Sequence, residues 1–470
     1  MSDVIETFDF VCIGGGPAGQ KAAVHAAEAG KRVLLVECSG HAGGACVRRG
    51  TIPSKTLREA AISLDNMRRR TGDVFSVNVS GDVKLAALMS RKDVVIGAHE
   101  RYMDKQIERA GVVLWKGRAR FISPNELEVV CVGGELRSVR AGSVLIATGS
   151  RPRNPLEIPI DHENIVDSDS VLSLAYLPQS MIVIGAGVIA CEYASVFANI
   201  GCKVTMVDSG KLPLGFLDPE LTARFLSCFE ATGSSYIGGV KVKRVEWDGL
   251  SEVVAELDDG RSIRAEKALF CLGRVANVEG LNIEAAGLKT NSRGQIEVDA
   301  QCRTAVPGIY AAGDVIGPPG LASAAMEQGR RAAIHALGLD PGEFANVIPS
   351  GIYTIPEMAS VGMTEAQAVE QTGGATVGRG SYHELARGQI AAIPDGLLKI
   401  VADGQGRRLL GVHIVGEGAA ELVHIGEMAL LARWDVDRFI ETIFNFPTLA
   451  EAYRVAALDI VAVREAVLAT

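Results

Sequence analysis

One cysteine lies in a glycine-rich loop, where its thiol could take part in redox chemistry. The stretch reads Gly43-Gly44-Ala45-Cys46-Val47-Arg48-Arg49-Gly50-Thr51-Ile52-Pro53-Ser54-Lys55, and it follows soon after the turn Gly14-Gly15-Gly16-Pro17-Ala18-Gly19. A second such turn, Gly185-Ala186-Gly187-Val188-Ile189-Ala190, comes later in the chain. Glycines at this spacing behind an apolar run allow a tight turn and a close approach of backbone to a pyrophosphate. None of the nine cysteines forms Cys-x-x-Cys, and no His/Cys cluster has metal-ligand spacing. A lone thiol with no base is mostly protonated near neutral pH, because its reference pKa is about 8.5. Cys46 therefore reads first as a packing residue of its loop. A positive surrounding could still lower its pKa and permit a mixed disulfide.

The elements that must position these residues repeat. The first unit reads strand Phe8–Ile13, turn, helix Ala18–Ala29, strand Arg32–Val36, and ends on Glu37. The second reads Met181–Ile184, turn, helix Val188–Asn199, strand Lys203–Val207, and ends on Asp208. In both, the acid stands eighteen residues past the last position of the turn. Each is a βαβ unit of the dinucleotide-binding kind. The helix N-terminus offers N–H donors to phosphate, and the acid accepts from a ribose hydroxyl. Two further segments return to the first unit. Val144-Leu145-Ile146-Ala147-Thr148-Gly149-Ser150 is an apolar strand running into a small-residue turn, and Gly308 to Val315 is another, ending in Gly313-Asp314. Taken alone, Asp314 is a turn or cap residue. From Val347 the pattern changes to strands at Ile352–Ile355, Gly378–His383, Leu397–Val401 and Leu409–Val415, then helices at Glu417–Leu431 and Ala450–Val463. That order points to an antiparallel α+β domain.

The bulk composition narrows the classes. At 470 residues, with 48% hydrophobic and 22% charged, the chain can bury two or three cores of ordinary domain size. A formal charge of −9 argues against nucleic acid as a partner. No apolar run reaches the about 18 residues that a membrane span needs. The short acidic start, Met1 to Thr7, lacks the basic-then-apolar layout of a secretory signal. With cysteines scattered through apolar segments, the expectation is a cytoplasmic protein in a reducing compartment.

Together these motifs resemble the flavoproteins with two dinucleotide-binding domains, the family of glutathione reductase and dihydrolipoamide dehydrogenase. Also matching are the segment Gly273-Arg274 to Asn277, Gly351-Ile352-Tyr353-Thr354-Ile355-Pro356-Glu357 and Phe444-Asn445-Phe446-Pro447-Thr448. Within the family the chain is most similar to the soluble, energy-independent transhydrogenase branch. The resemblance implies an α/β fold with two Rossmann-like domains and a C-terminal α+β dimerisation domain. The corresponding divisions are 1–150 and 276–346 for FAD, 151–275 for NAD(P), and 347–470 for dimerisation. It implies that Gly14, Gly16 and Gly19 cradle the FAD pyrophosphate, that Glu37 binds the adenosine ribose and that Gly43, Gly44 and Cys46 pass the flavin. It places Lys55 near the flavin N5 and Asp314 at the ribityl or pyrophosphate end. Gly117, Thr148, Gly149, Ala322 and Gly273 would complete the cofactor-binding set. Gly185, Gly187 and Asp208 would hold the nicotinamide dinucleotide, and Glu192 would lie in the nicotinamide pocket paired with Lys55. A homodimer or larger homo-oligomer follows, in which Phe446 and Glu451 would work across to the partner's flavin.

Two departures from the disulfide reductases shape the expected activity. Thr51 stands where those enzymes carry the second cysteine. Phe446 stands where a histidine would keep the other thiol reactive, although Glu451, which would orient it, is retained. With no dithiol outlet, electrons on a flavin can leave to a second dinucleotide. The expected function is FAD-dependent transfer of hydride between NADPH and NAD+. Alternatives are an NADH-dependent diaphorase or quinone reductase, a single-cysteine relative of dihydrolipoamide dehydrogenase, and a catalytically idle flavoprotein subunit. Asp208 complicates the pairing, since it suits the 2′-hydroxyl of NAD(H) and opposes the 2′-phosphate of NADP(H). Two unit charges about 4 Å apart at an effective dielectric near 20 repel by roughly 4 kcal/mol.

Overall fold

The computed structural model describes residues 5–71, 85–342 and 347–468. The chain divides into two compact units. Met1–Thr56, Met89–Arg153 and Gly273–Glu343 form the first; Leu57–Leu88, Asn154–Leu272 and Phe344–Thr470 form the second.

In the first unit the strand Glu6–Ile13 lies at the centre of a parallel sheet, between Val33–Glu37 and Leu136–Ile146. Val113–Ser123 and Ile309–Ala311 continue the sheet on either side. Every residue of Val33–Glu37 is buried, as expected for a parallel strand covered on both faces. Side chains alternate across it: Phe10 and Cys12 pack with Ala18, Ala22 and Ala26 of the helix Pro17–Glu28, while Val11 and Ile13 enter the opposite core with Trp115 and Phe121. Val113–Ser123 and Leu136–Ile146 overrun the parallel part and pair antiparallel with Glu126–Cys131.

The second unit repeats the plan. A parallel sheet runs in the order Ser235–Gly238, Lys203–Asp208, Ser180–Ile184, Lys267–Phe270, Ile165–Asp167. A three-stranded antiparallel sheet, from Val242–Trp247 to Ser262–Ala265, is inserted between its strands Ser235–Gly238 and Lys267–Phe270. The C-terminal part is a five-stranded antiparallel sheet ordered Ser350–Ile352, Met358–Gly362, Leu409–Val415, Leu397–Asp403, Ala375–Ser381. Helices Ala419–Leu431 and Ala452–Leu468 share its core, with Val412, Ile414, Val423, Tyr453 and Ile460 all buried. The second helix lies close because Gly378 and Gly380 have no side chain. A Cβ at either would run into the carbonyl oxygens of Ala456 and Ala452.

This is the α/β architecture expected from the duplicated motif, with the α+β domain behind it. The helix Val188–Asn199 has the bounds read from the sequence. Two strands do not. The expected strand Ile352–Ile355 is Ser350–Ile352, and Gly378–His383 is Ala375–Ser381. Tyr353 and Ile355 leave the sheet because side chains of another helix take their N–H groups, as described below. Among the described residues no helix is long and apolar enough to cross a membrane.

Candidate functional site

In the first unit the turn after Glu6–Ile13 fits together from residues with no side chain to spare. Gly14 has φ +103°, and a Cβ on it would run into the Ala147 carbonyl. A Cβ on Gly19 would strike the Gly14 carbonyl. Gly16 caps the helix Pro17–Glu28 without a side-chain hydrogen bond, and the first turn holds no acid. Its N–H groups and partial positive charge are thus directed outward, toward an anion. The Cys46 loop packs on this turn: Gly43 N–H donates to the Gly15 carbonyl at 2.7 Å. A Cβ on Gly44 would lie 2.8 Å from Gly16 Cα. Glu37 is buried and clamped, with Oε2 accepting from Gly15 N–H at 2.7 Å and Oε1 from Ser39 N–H at 2.7 Å. Ser39 Oγ also donates to Oε1 at 2.6 Å; a carboxylate has about four lone-pair sites, so capacity remains for about one ribose hydroxyl.

The returning segments lock together beside it. Asn277 Nδ2 donates to the Thr148 carbonyl at 3.0 Å, and its N–H donates to the Gly149 carbonyl. Ser150 Oγ donates to Asp314 Oδ2 at 2.6 Å and accepts from Arg274 Nε at 2.8 Å. Three separated motifs, at 148–150, 273–277 and 313–314, are therefore one hydrogen-bonded piece. Ser150, Arg274 and Asn277 are the parts that sequence reasoning left without a role. The Thr148 hydroxyl is buried and has no hydrogen-bond partner among the described residues. An orphaned hydroxyl beside an uncapped helix and a glycine cradle fits a polar cofactor such as FAD. Ala322 opens the helix Ala322–Ala336, whose N-cap Leu321 supplies no side-chain cap. Gly273 has φ +91°. Gly117 lies in Val113–Ser123, where a Cβ would strike the Val130 carbonyl, so close strand packing alone requires glycine there.

Cys46 sits on the short helix Gly44–Arg48. Burial pushes its thiol above the ordinary value; a hydrogen bond with the Thr51 side chain and the Lys55 charge pull it back only in part. Thr51 thus sets a hydroxyl, and not a second sulfur, beside a thiol whose pKa burial raises. Lys55 Nζ lies 3.3 Å from Ser54 Oγ.

The second unit builds its turn in the same way. Gly185 has φ +108°, and a Cβ there would lie 2.6 Å from the Cys271 carbonyl. Around Gly187 there is open space where a Cβ would go, and the helix it caps has neither a side-chain cap nor an acid in its first turn. Asp208 repeats the clamp of Glu37, accepting from Ala186 N–H at 3.0 Å and from Gly210 N–H at 2.6 Å. Glu192, one turn into the helix, is buried, and its Oε1 accepts from Tyr353 N–H at 2.9 Å. Phe446 is 70% exposed. Glu451 Oε2 accepts from Thr448 N–H at 3.2 Å, closing a capping box, so the carboxylate has a structural task with no imidazole to orient. Among the described residues no group of three or more His, Cys, Asp or Glu side chains is placed to hold a metal ion.

Two paired nucleotide cradles on parallel sheets, followed by an antiparallel domain, define a two-dinucleotide oxidoreductase. The family described as pyridine nucleotide-disulphide oxidoreductase matches residues 8–329, and its dimerisation domain matches residues 348–457. The chain belongs to this family. It is 41% identical, over 96% of its length and 97% of the relative's, to a soluble pyridine nucleotide transhydrogenase of Mycobacterium tuberculosis. Identity to the protein of the same name from Pseudomonas putida is also 41%, over 97% of this chain and 98% of that one. Among solved structures it is similar to LpdA from Mycobacterium tuberculosis, with a TM-score of 0.89 at 28% identity, covering 97% of this chain and 99% of that one. It is also similar to the HOCl-induced flavoprotein disulfide reductase RclA from Escherichia coli. There the TM-score is 0.86 at 26% identity, over 96% and 99% of the two chains.

Proposed function

We propose that this chain is an FAD-dependent pyridine nucleotide transhydrogenase, a cytoplasmic homo-oligomer that exchanges reducing equivalents between NADPH and NAD+ with no sulfur relay. The observation that carries this reading is the environment of Cys46: Thr51 sets a hydroxyl at its side in place of a second sulfur, in a site whose burial raises the thiol's pKa. The exposed Phe446 supplies no base. Near-full-length identity to transhydrogenases in two genera supports the same activity.

FAD, when bound, supplies a two-electron store that accepts hydride from one dinucleotide and yields it to the next. The protein's part is to hold and orient. Gly14 and Gly19 let the turn close on itself, Gly16 leaves room for the FAD pyrophosphate at the helix N-terminus, and the Thr148 hydroxyl offers a polar contact that it lacks among the described residues. Asp314, fixed by Ser150, receives the ribityl or pyrophosphate end. Gly185 and Gly187 admit either nicotinamide dinucleotide, and Asp208 takes its ribose. Lys55 supplies a cation toward the flavin, and Glu192 a carboxylate toward the nicotinamide. No residue need take up or release a proton, since a hydride passes as a unit.

The test is anaerobic turnover. Mixed with NADPH and an NAD+ analogue of distinct absorbance, the holoenzyme is expected to reduce the analogue, and to leave a small disulfide such as oxidised glutathione untouched. Quinone reduction without analogue reduction, or ready disulfide reduction, would overturn the reading.

A further inference from the structure

Arg58 stands three residues past Lys55 on the helix Thr51–Thr71, with a buried guanidinium. Its Nε donates to the Thr354 carbonyl at 3.0 Å and its Nη2 to Glu357 Oε2 at 2.8 Å. Its Cζ lies 5.7 Å from the centre of the Tyr353 ring. Glu357 is equally committed. Its other oxygen accepts from Ala420 N–H at 2.6 Å, at the N-terminus of the helix Ala419–Leu431, where a carboxylate suits the helix dipole. Its carbonyl accepts from Gly416 N–H at 2.7 Å. The five residues from Tyr353 to Glu357, between two strands of the C-terminal sheet, are thus gripped from one side by Arg58.

From the other side they are gripped by the dinucleotide helix. Tyr353 N–H donates to Glu192 Oε1 at 2.9 Å, and Ile355 N–H donates to Ser195 Oγ at 3.1 Å. Ser195 Oγ in turn donates to the Glu192 carbonyl at 3.0 Å. A backbone N–H can aim a carboxylate only as well as its own segment is fixed. Here the segment is fixed by an ion pair whose side chains are 7% and 10% exposed. Taking two such charges out of water is costly, and an apolar pair of equal volume is often as stabilising. What an apolar pair cannot supply is a fork of donors that sets both a carbonyl and a carboxylate in one geometry.

We propose that Arg58 is a positioning residue: acting through Glu357 and the Tyr353–Ile355 backbone, it sets the orientation of the Glu192 carboxylate for hydride exchange with the nicotinamide. The proposal rests on the reading of Glu192 as a nicotinamide-pocket residue of a transhydrogenase. Arg58 is buried, with its donors committed to the Thr354 carbonyl and to Glu357, so its loss is expected to act on the chemical step and to spare cofactor retention.

The experiment compares holoenzyme carrying Arg58→Met, Arg58→Lys or Glu357→Gln with the parent protein by anaerobic stopped flow and by hydrogen exchange. In Arg58→Met the limiting rate of flavin bleaching by NADPH is expected to fall about tenfold or more, as misplacement by an ångström can cost. The dinucleotide Kd is expected to change less than about threefold, because binding sits largely on the Gly185–Gly187 turn. Arg58→Lys, which can satisfy one acceptor but not the fork, should fall between the two. Amide exchange over 350–357 should quicken in Arg58→Met while the strand Leu409–Val415 stays protected. An unchanged bleaching rate, an unchanged exchange rate at 350–357, or exchange raised equally throughout the sheet would each overturn the proposal. If Arg58→Met does not fold, Glu357→Gln decides by the same readouts. Failure of the parent protein to be bleached by either dinucleotide would count against the transhydrogenase reading instead, and the exchange result would still decide whether Arg58 fixes the segment.

Discussion

At the scale of single residues, the two acids at the strand ends carry most of the specificity. Glu37 and Asp208 are each held by the N–H of the second residue of their own glycine turn and by the N–H two residues on. That pairing fixes where the charge lies and tempers it. The full repulsion between Asp208 and a 2′-phosphate, roughly 4 kcal/mol at an effective dielectric near 20, is therefore an upper bound. Both N–H dipoles already neutralise part of the carboxylate. Asp208→Asn retains an oxygen acceptor for one N–H and removes the charge. The expected outcome is a rise in kcat/KM for NADPH relative to NADH of about ten- to a hundredfold, short of the near-thousandfold that an untempered charge would give. Steady-state kinetics with each donor and one common acceptor measure the ratio. No change in it would show that the 2′ position lies away from Asp208.

At the scale of elements, glycines at equivalent-looking positions answer to different demands. Gly329, inside the helix Ala322–Ala336, faces the Ala18 carbonyl so closely that a Cβ would collide with it. Gly329→Ala must push that helix off the first turn of Pro17–Glu28, at a cost of about 1–3 kcal/mol. A lower melting temperature and loss of bound FAD are expected together. Gly187→Ala meets nothing within 4 Å and has φ −78°, so folding should be nearly unaffected. Its Cβ would enter the space left for a pyrophosphate, and the dinucleotide Kd should rise while the melting temperature holds. The duplicated turn, helix and acid were legible in the sequence because their signal is local: glycine spacing, an apolar run, an acid at a set distance. The strand expected at Ile352–Ile355 failed for the opposite reason. The N–H groups of Tyr353 and Ile355 go to Glu192 and Ser195, more than 150 residues away in the chain. Arg58 was silent for the same reason, since its acceptors stand 296 and 299 residues away. A cation within a helix looks like any solvated one until its partners are known.

At the scale of the molecule, the second unit joins its dinucleotide-binding part to its C-terminal sheet through a buried cation. Lys399, on the strand Leu397–Asp403, has a side chain 2% exposed and lies 3.0 Å from Asp218 Oδ2, 2.6 Å from Glu220 Oε1 and 2.7 Å from Glu365 Oε2. Burial alone would lower the Lys399 ammonium, but hydrogen bonds to Glu220 and Glu365 and the adjacent Asp218 carboxylate hold it above its ordinary value. Arg379, on the neighbouring strand Ala375–Ser381, adds a two-pronged bond to Glu220 at 2.8 and 2.6 Å. The Arg379 hydrogen bonds first, and then Lys399, hold the Glu220 carboxyl down at about 2, against an ordinary 4.5. A carboxyl depressed in the folded state stabilises it above its unfolded value, and that contribution is lost as pH falls through the folded one. Other depressed carboxylates titrate in the same window, so the informative quantity is a difference between proteins. Glu220→Gln cannot make the ionic bonds and should melt below the parent protein by a constant margin above about pH 5. Between about pH 4.5 and pH 2 the parent protonates Glu220 and forfeits its advantage, and the margin should close. Differential scanning calorimetry of the two proteins across pH 2 to 7 reads it directly. A margin that stays constant to the lowest pH would mean that the bonds at Glu220 are made equally well by a neutral carboxyl. The charge of the network would then contribute nothing to holding the dinucleotide-binding part on the sheet.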